Sequence, residues 1–183
     1  PGSPPDMVQY ETASNTGTSV FNFTPQTGII YGANPISNYT VTYYTSLANA
    51  NAGTSPIINF TSFQNTLNPQ QIFAVLSQNN DPTNFAITSF QLIVVALPTV
   101  TIAGSTTICS GSPVNITFTG TPNAIVNFTV NGNPRQIVLG ATGIFIDNVP
   151  SLITTTVYNL VNVTISTPAG TNTQPEGGSV TIN

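Results

Sequence analysis

The chain has 183 residues, of which 39% are hydrophobic and only 3% are charged, against roughly 25% charged residues in an average soluble domain. It carries one basic residue, five acidic residues and no histidine, so its net charge is -4. This composition excludes a phosphate-neutralising nucleic-acid surface, and the abundant β-branched and aromatic residues exclude an intrinsically disordered chain.

No segment has the signature of a membrane or targeting element. The most apolar run, LIVVAL at 92–97, is far shorter than the ~20 residues that a membrane-spanning helix needs. No charged segment precedes an apolar run at the start of the chain, as a signal peptide would require. We therefore expect an internal fragment of an exported protein without membrane insertion.

Hydrophobic and polar residues alternate with a period of two in the first half of the chain, which predicts β-strands. The segment SLANANAG at 46–53 is the one place that favours a helical turn, with Gly53 as its C-cap. The strands are predicted, in chain order, at 20–23, 39–45, 71–77 and 88–95.

The second half shows the same alternation. In IVNFTVNGNPRQIVL the side chains of Val126, Phe128 and Val130 share one face, and NGNP supplies a turn, which predicts a hairpin with one buried face. The other strands of this half are predicted at 99–103, 114–119, 143–149, 156–165 and 179–182.

The segment VVALPTVTI predicts a domain boundary, because Pro98 ends one strand before the next begins. The predicted domains are residues 1–97 and 98–183. Many short strands in units of this size favour an all-β fold of two tandem immunoglobulin-like antiparallel β-sandwiches. Because the linker is so short, we expect the two domains to be arranged end to end.

Several segments resemble a known family. These are NYTVTYYTSLANANAGTSPI, the region from NPQQIFAVLSQ to GATGIF, and TTTVYNLVNVTIS, with ICSG, TFTGTPNA and TVNG as the more specific phrases. They resemble repeats of very large cell-surface adhesins of Bacteroidetes, the SprB-like gliding-motility adhesins exported by type IX secretion. The resemblance covers about 20–182 and implies an extracellular array of β-sandwich repeats that contact neighbouring repeats and the substratum.

Cys109 is the only cysteine in the chain. In the family that the sequence resembles, the cysteine of TICSG is usually accompanied by a second one near the last strand, and the first repeat type often has its own pair. In this sequence both the second cysteine near the last strand and the cysteine pair of the first repeat are absent. We interpret Cys109 as a free, buried cysteine that packs as a small hydrophobic residue, with an intermolecular disulfide or a reactive thiol as the alternative.

The residues that catalysis needs are scarce. Without histidine or lysine, a carboxylate is the only ordinary base available near neutral pH to a serine or cysteine nucleophile. Paired carboxylates would suit a glycosidase, but the acids are isolated in sequence and are interpreted as loop residues. They are Asp6, Glu11, Asp81, Asp147 and Glu176. We predict that the protein is not an enzyme and uses no cofactor.

Metal and ligand sites are equally weak in the sequence. The sequence has no cluster of His and Cys residues of the kind that binds zinc, iron or copper. The best calcium candidate is NNDPTN at 79–84, which is interpreted as a turn around Asp81.

Arg135 could pair with Asp147 or Glu176, but exposure at a strand end is favoured. The N-x-S/T sequons at Asn22, Asn38, Asn59, Asn115, Asn127 and Asn162 follow from an Asn- and Thr-rich composition.

Two functional hypotheses remain open. The first is a structural and adhesive repeat pair in a large bacterial surface adhesin. The second is a carbohydrate-binding module that recognises polysaccharide through one sandwich face. A tyrosine platform would serve the second hypothesis, although strand tyrosines more often pack in a core. Its candidates are Tyr10, Tyr31, Tyr39, Tyr43 and Tyr44.

Overall fold

The computed structural model describes residues 1–183 as two compact units, Pro1–Ala96 and Leu97–Asn183. Nearly all of the regular structure is β-strand, and almost all strand pairs are antiparallel. The predicted all-β class with layered antiparallel sheets is confirmed. Neither of the two short helices is long and apolar enough to cross a membrane.

The first unit is built on a four-stranded sheet with the order β1-β6-β5-β3. The strands of the unit are β1 (Met7–Tyr10), β2 (Val20–Phe21), β3 (Tyr39–Tyr44), β4 (Phe63–Gln64), β5 (Gln70–Gln78) and β6 (Asp81–Val95). The strands β2 and β4 form a separate two-stranded ribbon, and β1 runs parallel to β6. The strands β1 and β4 were not predicted from the sequence.

The core of the first unit lies between one face of the sheet and a layer made of the ribbon and helix α1 (Thr24–Tyr31). Phe23 is at its centre, with ring centroids 5.1 Å from Tyr43 and 5.5 Å from Phe90. The sequence did not predict α1, which has Gly28 in its middle. Tertiary burial of Gln26 and Ile30 holds this helix in place.

The opposite face of the same sheet is covered locally by helix α2 (Leu47–Ala52), which confirms the helical turn expected there. The side chain of Ser46 caps its first turn by accepting a hydrogen bond from the Asn49 N–H at 3.2 Å. Gly53 ends it with a φ of 66°, a left-handed conformation that glycine adopts without steric cost.

The second unit is a two-sheet sandwich. Its strands are β7 (Val100–Gly104), β8 (Val114–Gly120), β9 (Ile125–Val130), β10 (Asn133–Val138), β11 (Ile144–Val149), β12 (Thr156–Thr167), β13 (Gly170–Pro175) and β14 (Ser179–Ile182). One sheet has the order β10-β9-β12-β13, with β14 also paired to β12, and the other has the order β11-β8-β7. The strand β13 was not predicted from the sequence.

The predicted hairpin of the second unit is confirmed as the pair β9 and β10. Asn131 and Gly132 form its two-residue turn with φ values of 48° and 81°, the positive pair that a type I′ turn requires. Val126 and Phe128 are buried as expected. Phe128 packs against Phe118 of the facing sheet with ring centroids 4.8 Å apart, so the core fills the space between the two sheets.

Candidate functional site

Glu11 is a buried acid held by the backbone of its own loop. Its side chain is 6% exposed, and its carboxylate accepts the N–H groups of Asn15, Thr16 and Gly17 at 3.0, 3.0 and 3.1 Å. Such bonds satisfy a desolvated charge that would otherwise be costly. The carboxylate of Glu11 therefore organises the loop that follows β1.

Two further acids bind the N–H groups of strands. Asp6 accepts the N–H of Gln91 in β6 at 2.7 Å, and Glu176 accepts the N–H of Val100 at the start of β7 at 3.2 Å. Charge-assisted bonds of this kind are stronger than neutral ones. Asp6 thus ties the segment before β1 to the inner strand β6, and Glu176 fixes the start of the edge strand β7.

Asp81 lies at the turn between β5 and β6, as the sequence suggested. Its Oδ1 accepts the N–H of Thr83 at 3.2 Å and the hydroxyl of Thr83 at 2.6 Å, which is the local turn chemistry of an aspartate. The structure brings no group of three or more His, Cys, Asp or Glu side chains together for a metal ion. Asp81 therefore acts as a turn residue in this structure.

Cys109 occupies the loop between β7 and β8, and its side chain is exposed. The expectation of a buried cysteine was therefore wrong. The hydrophobic signal came from Ile108, which packs against the core while the next side chain points to solvent. A loop has no fixed period, so its neighbours do not determine which way a side chain faces.

The tyrosines of the first unit do not form a single exposed platform. Tyr43 and Tyr44 are 1% and 5% exposed, which confirms the interpretation of these two as packing residues. The hydroxyl groups of Tyr43 and Thr27 are 2.7 Å apart, and burial raises the pKa of Tyr43. The half-buried Tyr31 donates its hydroxyl to the carbonyl of Tyr39 at 3.3 Å.

The best candidate site is a cleft of about 320 Å³ in the second unit, here called the edge cleft. It lies along β10 and β11, which are edge strands of the two different sheets. Arg135 of β10 and Asp147 of β11 both line it, so the only basic side chain of the protein and one of its five acids share this cleft. The remaining lining residues are Phe128, Val130, Gln136, Ile137, Phe145 and Tyr158.

Arg135 is exposed, as the sequence favoured, and makes no ion pair within 4.0 Å. Its guanidinium presents several donors in a rigid planar fork. The alternative pairings with Asp147 and Glu176 do not form in this structure. The Arg135 side chain is therefore free to contact another molecule.

Asp147 is oriented by a buried phenol. Tyr158 is 3% exposed, and its hydroxyl donates to Oδ2 of Asp147 at 3.0 Å. Desolvation by burial, the hydrogen bond and the negative charge of Asp147 together raise the pKa of Tyr158 to about 12, while the charge of Arg135 opposes the rise. At neutral pH the neutral phenol holds the carboxylate in one orientation and leaves its other oxygen open.

The walls of the edge cleft are aromatic. The rings of Phe128 and Tyr158 stack with centroids 6.0 Å apart and an interplanar angle of 14°, and Phe145 stands half-buried beside them. The sequence had identified Arg135 and Asp147 as charged residues of interest but had not connected them with Phe145 or Tyr158. Period-two alternation places Phe145 and Asp147 on one face of their strand, which is the only local signal of their proximity.

Comparison with known proteins gives one family match. Residues 6–98 match the family model described as the Flavobacterium inter-domain disulphide bond domain. No curated protein matches the chain in sequence. The matched region contains no cysteine, because Cys109 is the only one in the chain and lies beyond residue 98.

Among solved structures, three similarities are distant. An adhesin described as Ca²⁺-stabilized, which helps an Antarctic bacterium reach out and bind ice, is 19% identical with a TM-score of 0.35, over 79% of this chain and 40% of that one. A 1.5-MDa bacterial ice-binding adhesin is 16% identical with a TM-score of 0.38, over 82% of this chain and 53% of that one. Immunoglobulin domains 1–4 of Sidekick-1 are 13% identical with a TM-score of 0.26, over 99% of this chain and 50% of that one.

Proposed function

The chain belongs to the family of the Flavobacterium inter-domain disulphide bond domain, and from that premise we propose that it is a structural repeat pair of a large bacterial cell-surface adhesin. In this proposal residues 1–97 and 98–183 are consecutive repeats, displayed outside the cell in a stalk that serves gliding motility or surface attachment. The resemblance of ICSG, TFTGTPNA and TVNG to type IX-secreted adhesin repeats supports this assignment.

The use of the acidic side chains supports a structural role. Four of the five carboxylates accept backbone N–H groups. General acid and base catalysis needs such groups to be free and directed at a substrate. Most of the chain's few charged side chains thus hold loops and strands in place.

The observation that carries the proposal is the parallel pairing of β1 with β6, the first and last strands of the first unit. Met7 to Tyr10 are in register with Leu92 to Val95. Tension applied through the chain on both sides of the unit pulls two parallel strands in opposite directions along their length. The bonds that join them are then loaded together, whereas the bonds of a hairpin pulled at its open end break one after another.

Both ends of this strand pair are reinforced. At one end Asp6 accepts the N–H of Gln91 at 2.7 Å, and at the other the N–H of Glu11 donates to the carbonyl of Val95 at 2.9 Å. The carboxylate of Glu11 also fixes the loop that follows. The first and last strands of the unit are therefore held together by side-chain and backbone bonds beyond the ladder itself.

The second unit has a related arrangement. The N–H of Asn183 donates to the carbonyl of Thr106 at 3.0 Å, and the N–H of Ile108 donates to the carbonyl of Asn183 at 3.1 Å. This alternation is the bonding pattern of two parallel strands. The segment that follows β7 is thus joined in parallel to the residue that follows β14, which supports tension-bearing in this unit as well.

Single-molecule force spectroscopy on the intact chain tests the proposal. Pulling through the two termini should give two separate unfolding events, with contour-length gains of roughly 300–340 Å each for units of this size. Asp6→Ala should lower the force at which the first unit unfolds, because Gln91 loses its acceptor. The matched control is Asp81→Ala, which removes an exposed carboxylate at the start of β6, far along the strand from the residues Leu92 to Val95 that pair with β1.

A first unit that unfolds without a resolvable force peak would contradict the proposal. If the Asp6→Ala variant and the wild-type chain instead unfold at equal forces, Asp6 does not reinforce the β1–β6 pair. Forced unfolding reports the unfolding barrier, so equilibrium stability is measured in parallel to separate the two quantities.

A second candidate function is carbohydrate recognition by the sandwich of the second unit. The specific observation in its favour is the edge cleft, where the Arg135 donors and the open Oδ1 of Asp147 lie beside aromatic side chains. Surface display and ligand binding are compatible in one adhesin.

A further inference from the structure

We propose that the edge cleft binds a neutral saccharide, with Asp147 accepting from one ring hydroxyl and Arg135 donating to a neighbouring one. This inference rests on the second candidate function, and it names the site and the chemical class of its ligand. It does not depend on the tension-bearing role of the repeats.

The size and composition of the cleft suit a small polar ligand. Its volume of about 320 Å³ lies at the lower end of the range of about 300–1,000 Å³ typical of ligand pockets. A larger groove of about 400 Å³ lies beside α2 in the first unit, with Phe85 in its lining, but no charged side chain lines it. The edge cleft is therefore the better candidate for directional recognition.

The charges of the cleft select the ligand class. Asp147 is an acceptor and Arg135 is a donor, and the two make no ion pair with each other. An anionic ligand would be repelled by Asp147, and a cationic one by Arg135. A pair of adjacent hydroxyl groups satisfies both side chains without adding a charge, because each hydroxyl both donates and accepts.

The acceptor is already oriented before a ligand arrives. Tyr158 is buried and bonds only Oδ2 of Asp147, at 3.0 Å, so the carboxylate loses little freedom when Oδ1 binds a hydroxyl. Phe145 presents part of its ring to the cleft, and the C–H face of a sugar packs well on an aromatic surface. The cleft thus supplies both polar and apolar contacts that a pyranose requires.

The test begins with the intact chain on an array of neutral and uronic-acid oligosaccharides, followed by calorimetric titration of the strongest neutral hit. Arg135→Ala and Asp147→Asn should each weaken binding by about ten-fold or more, since each removes a charge-assisted hydrogen bond. Asp147→Asn keeps an oxygen for the Tyr158 hydroxyl, so the fold should be retained. Thermal midpoints of all variants check this.

Two matched controls locate the site. Asp81→Asn makes the same change of charge at a turn in the first unit and should leave binding unchanged. Phe85→Ala alters the groove beside α2 and should also leave binding unchanged. Arg135→Lys should bind more weakly than the wild-type chain, because the lysine ammonium group is a point charge without the planar donor fork of the guanidinium.

The outcomes are distinct. Binding that survives both Arg135→Ala and Asp147→Asn, or that is lost with Phe85→Ala, would show that the edge cleft is not the binding site. Carbohydrate recognition by the chain would still stand in that case. Binding of uronic acids alone, improved by Asp147→Asn, would overturn the neutral class. An intact chain that binds nothing on the array would overturn both the inference and the second candidate function, and would leave the structural role untouched.

Discussion

Replacing Asn65 with alanine is expected to destabilise the first unit by about 3 kcal/mol. The side chain is 2% exposed and bonds three backbone groups: its Oδ1 accepts the N–H of Ser19 at 2.6 Å, and its Nδ2 donates to the carbonyls of Gly17 at 3.0 Å and Leu67 at 2.8 Å. Each bond contributes about 0.5–1.5 kcal/mol net, and the three together give the expected loss.

Urea unfolding followed by tyrosine fluorescence measures this loss. The chain has no tryptophan, and of its six tyrosines only Tyr158 lies in the second unit, so the signal reports mainly on the first unit. A loss of this size should lower the thermal midpoint of a domain with fewer than 100 residues by roughly 12–24 °C.

Asn59→Ala is the matched control, because Asn59 is exposed and bonds only the carbonyl of Ser62, at 3.2 Å. It should change the free energy of unfolding by no more than about 0.5 kcal/mol. If Asn65→Ala cost as little as Asn59→Ala, the three bonds would not hold the loop that runs from Glu11 to Ser19, and the reasoning would be refuted.

Four further outcomes are expected. The folded state raises the pKa of Tyr158 from 10.0 to about 12. The contribution of Tyr158 to the free energy of unfolding should therefore be complete below about pH 10 and fall as the pH rises toward 12. Urea titrations at several pH values should show a smaller fall for Tyr158→Phe than for the wild-type chain. Thiol titration should find Cys109 equally reactive in native and unfolded protein, since it is exposed; a slow native reaction would contradict this. Addition of EDTA should shift the thermal midpoint by less than ~5 °C, and a larger drop would reveal a metal site. The end-to-end arrangement expected from the short linker stays a prediction, for which small-angle scattering should give a radius of gyration of roughly 20 Å or more rather than the value of about 16 Å for one compact body.

The strands of the second unit illustrate what local sequence determines. Alternation in IVNFTV places Val126 and Phe128 in the core, and Asn131 with Gly132 supplies the positive φ values of the turn. Both signals act between residues that are close in the chain. They fix strand direction, hairpin register and the buried face without reference to the rest of the molecule.

The elements that the sequence missed depend on distant partners. MVQY at Met7 to Tyr10 has no clear alternation and becomes a strand through pairing with Leu92 to Val95 at the other end of the unit. Helix α1 has Gly28 in its middle and depends on the burial of Ile30. Tertiary contacts outweigh weak local preferences in both cases.

The edge cleft shows the same division. The sequence by itself determined that the chain has one basic side chain and five acids, and therefore that any site with a cationic side chain must use Arg135. Only the tertiary structure decided that Arg135 and Asp147 share a cleft, because that depends on which strands become the edges of the two sheets. Strand order arises from hydrogen bonds and packing between segments far apart in the chain, and no local pattern of residues encodes it.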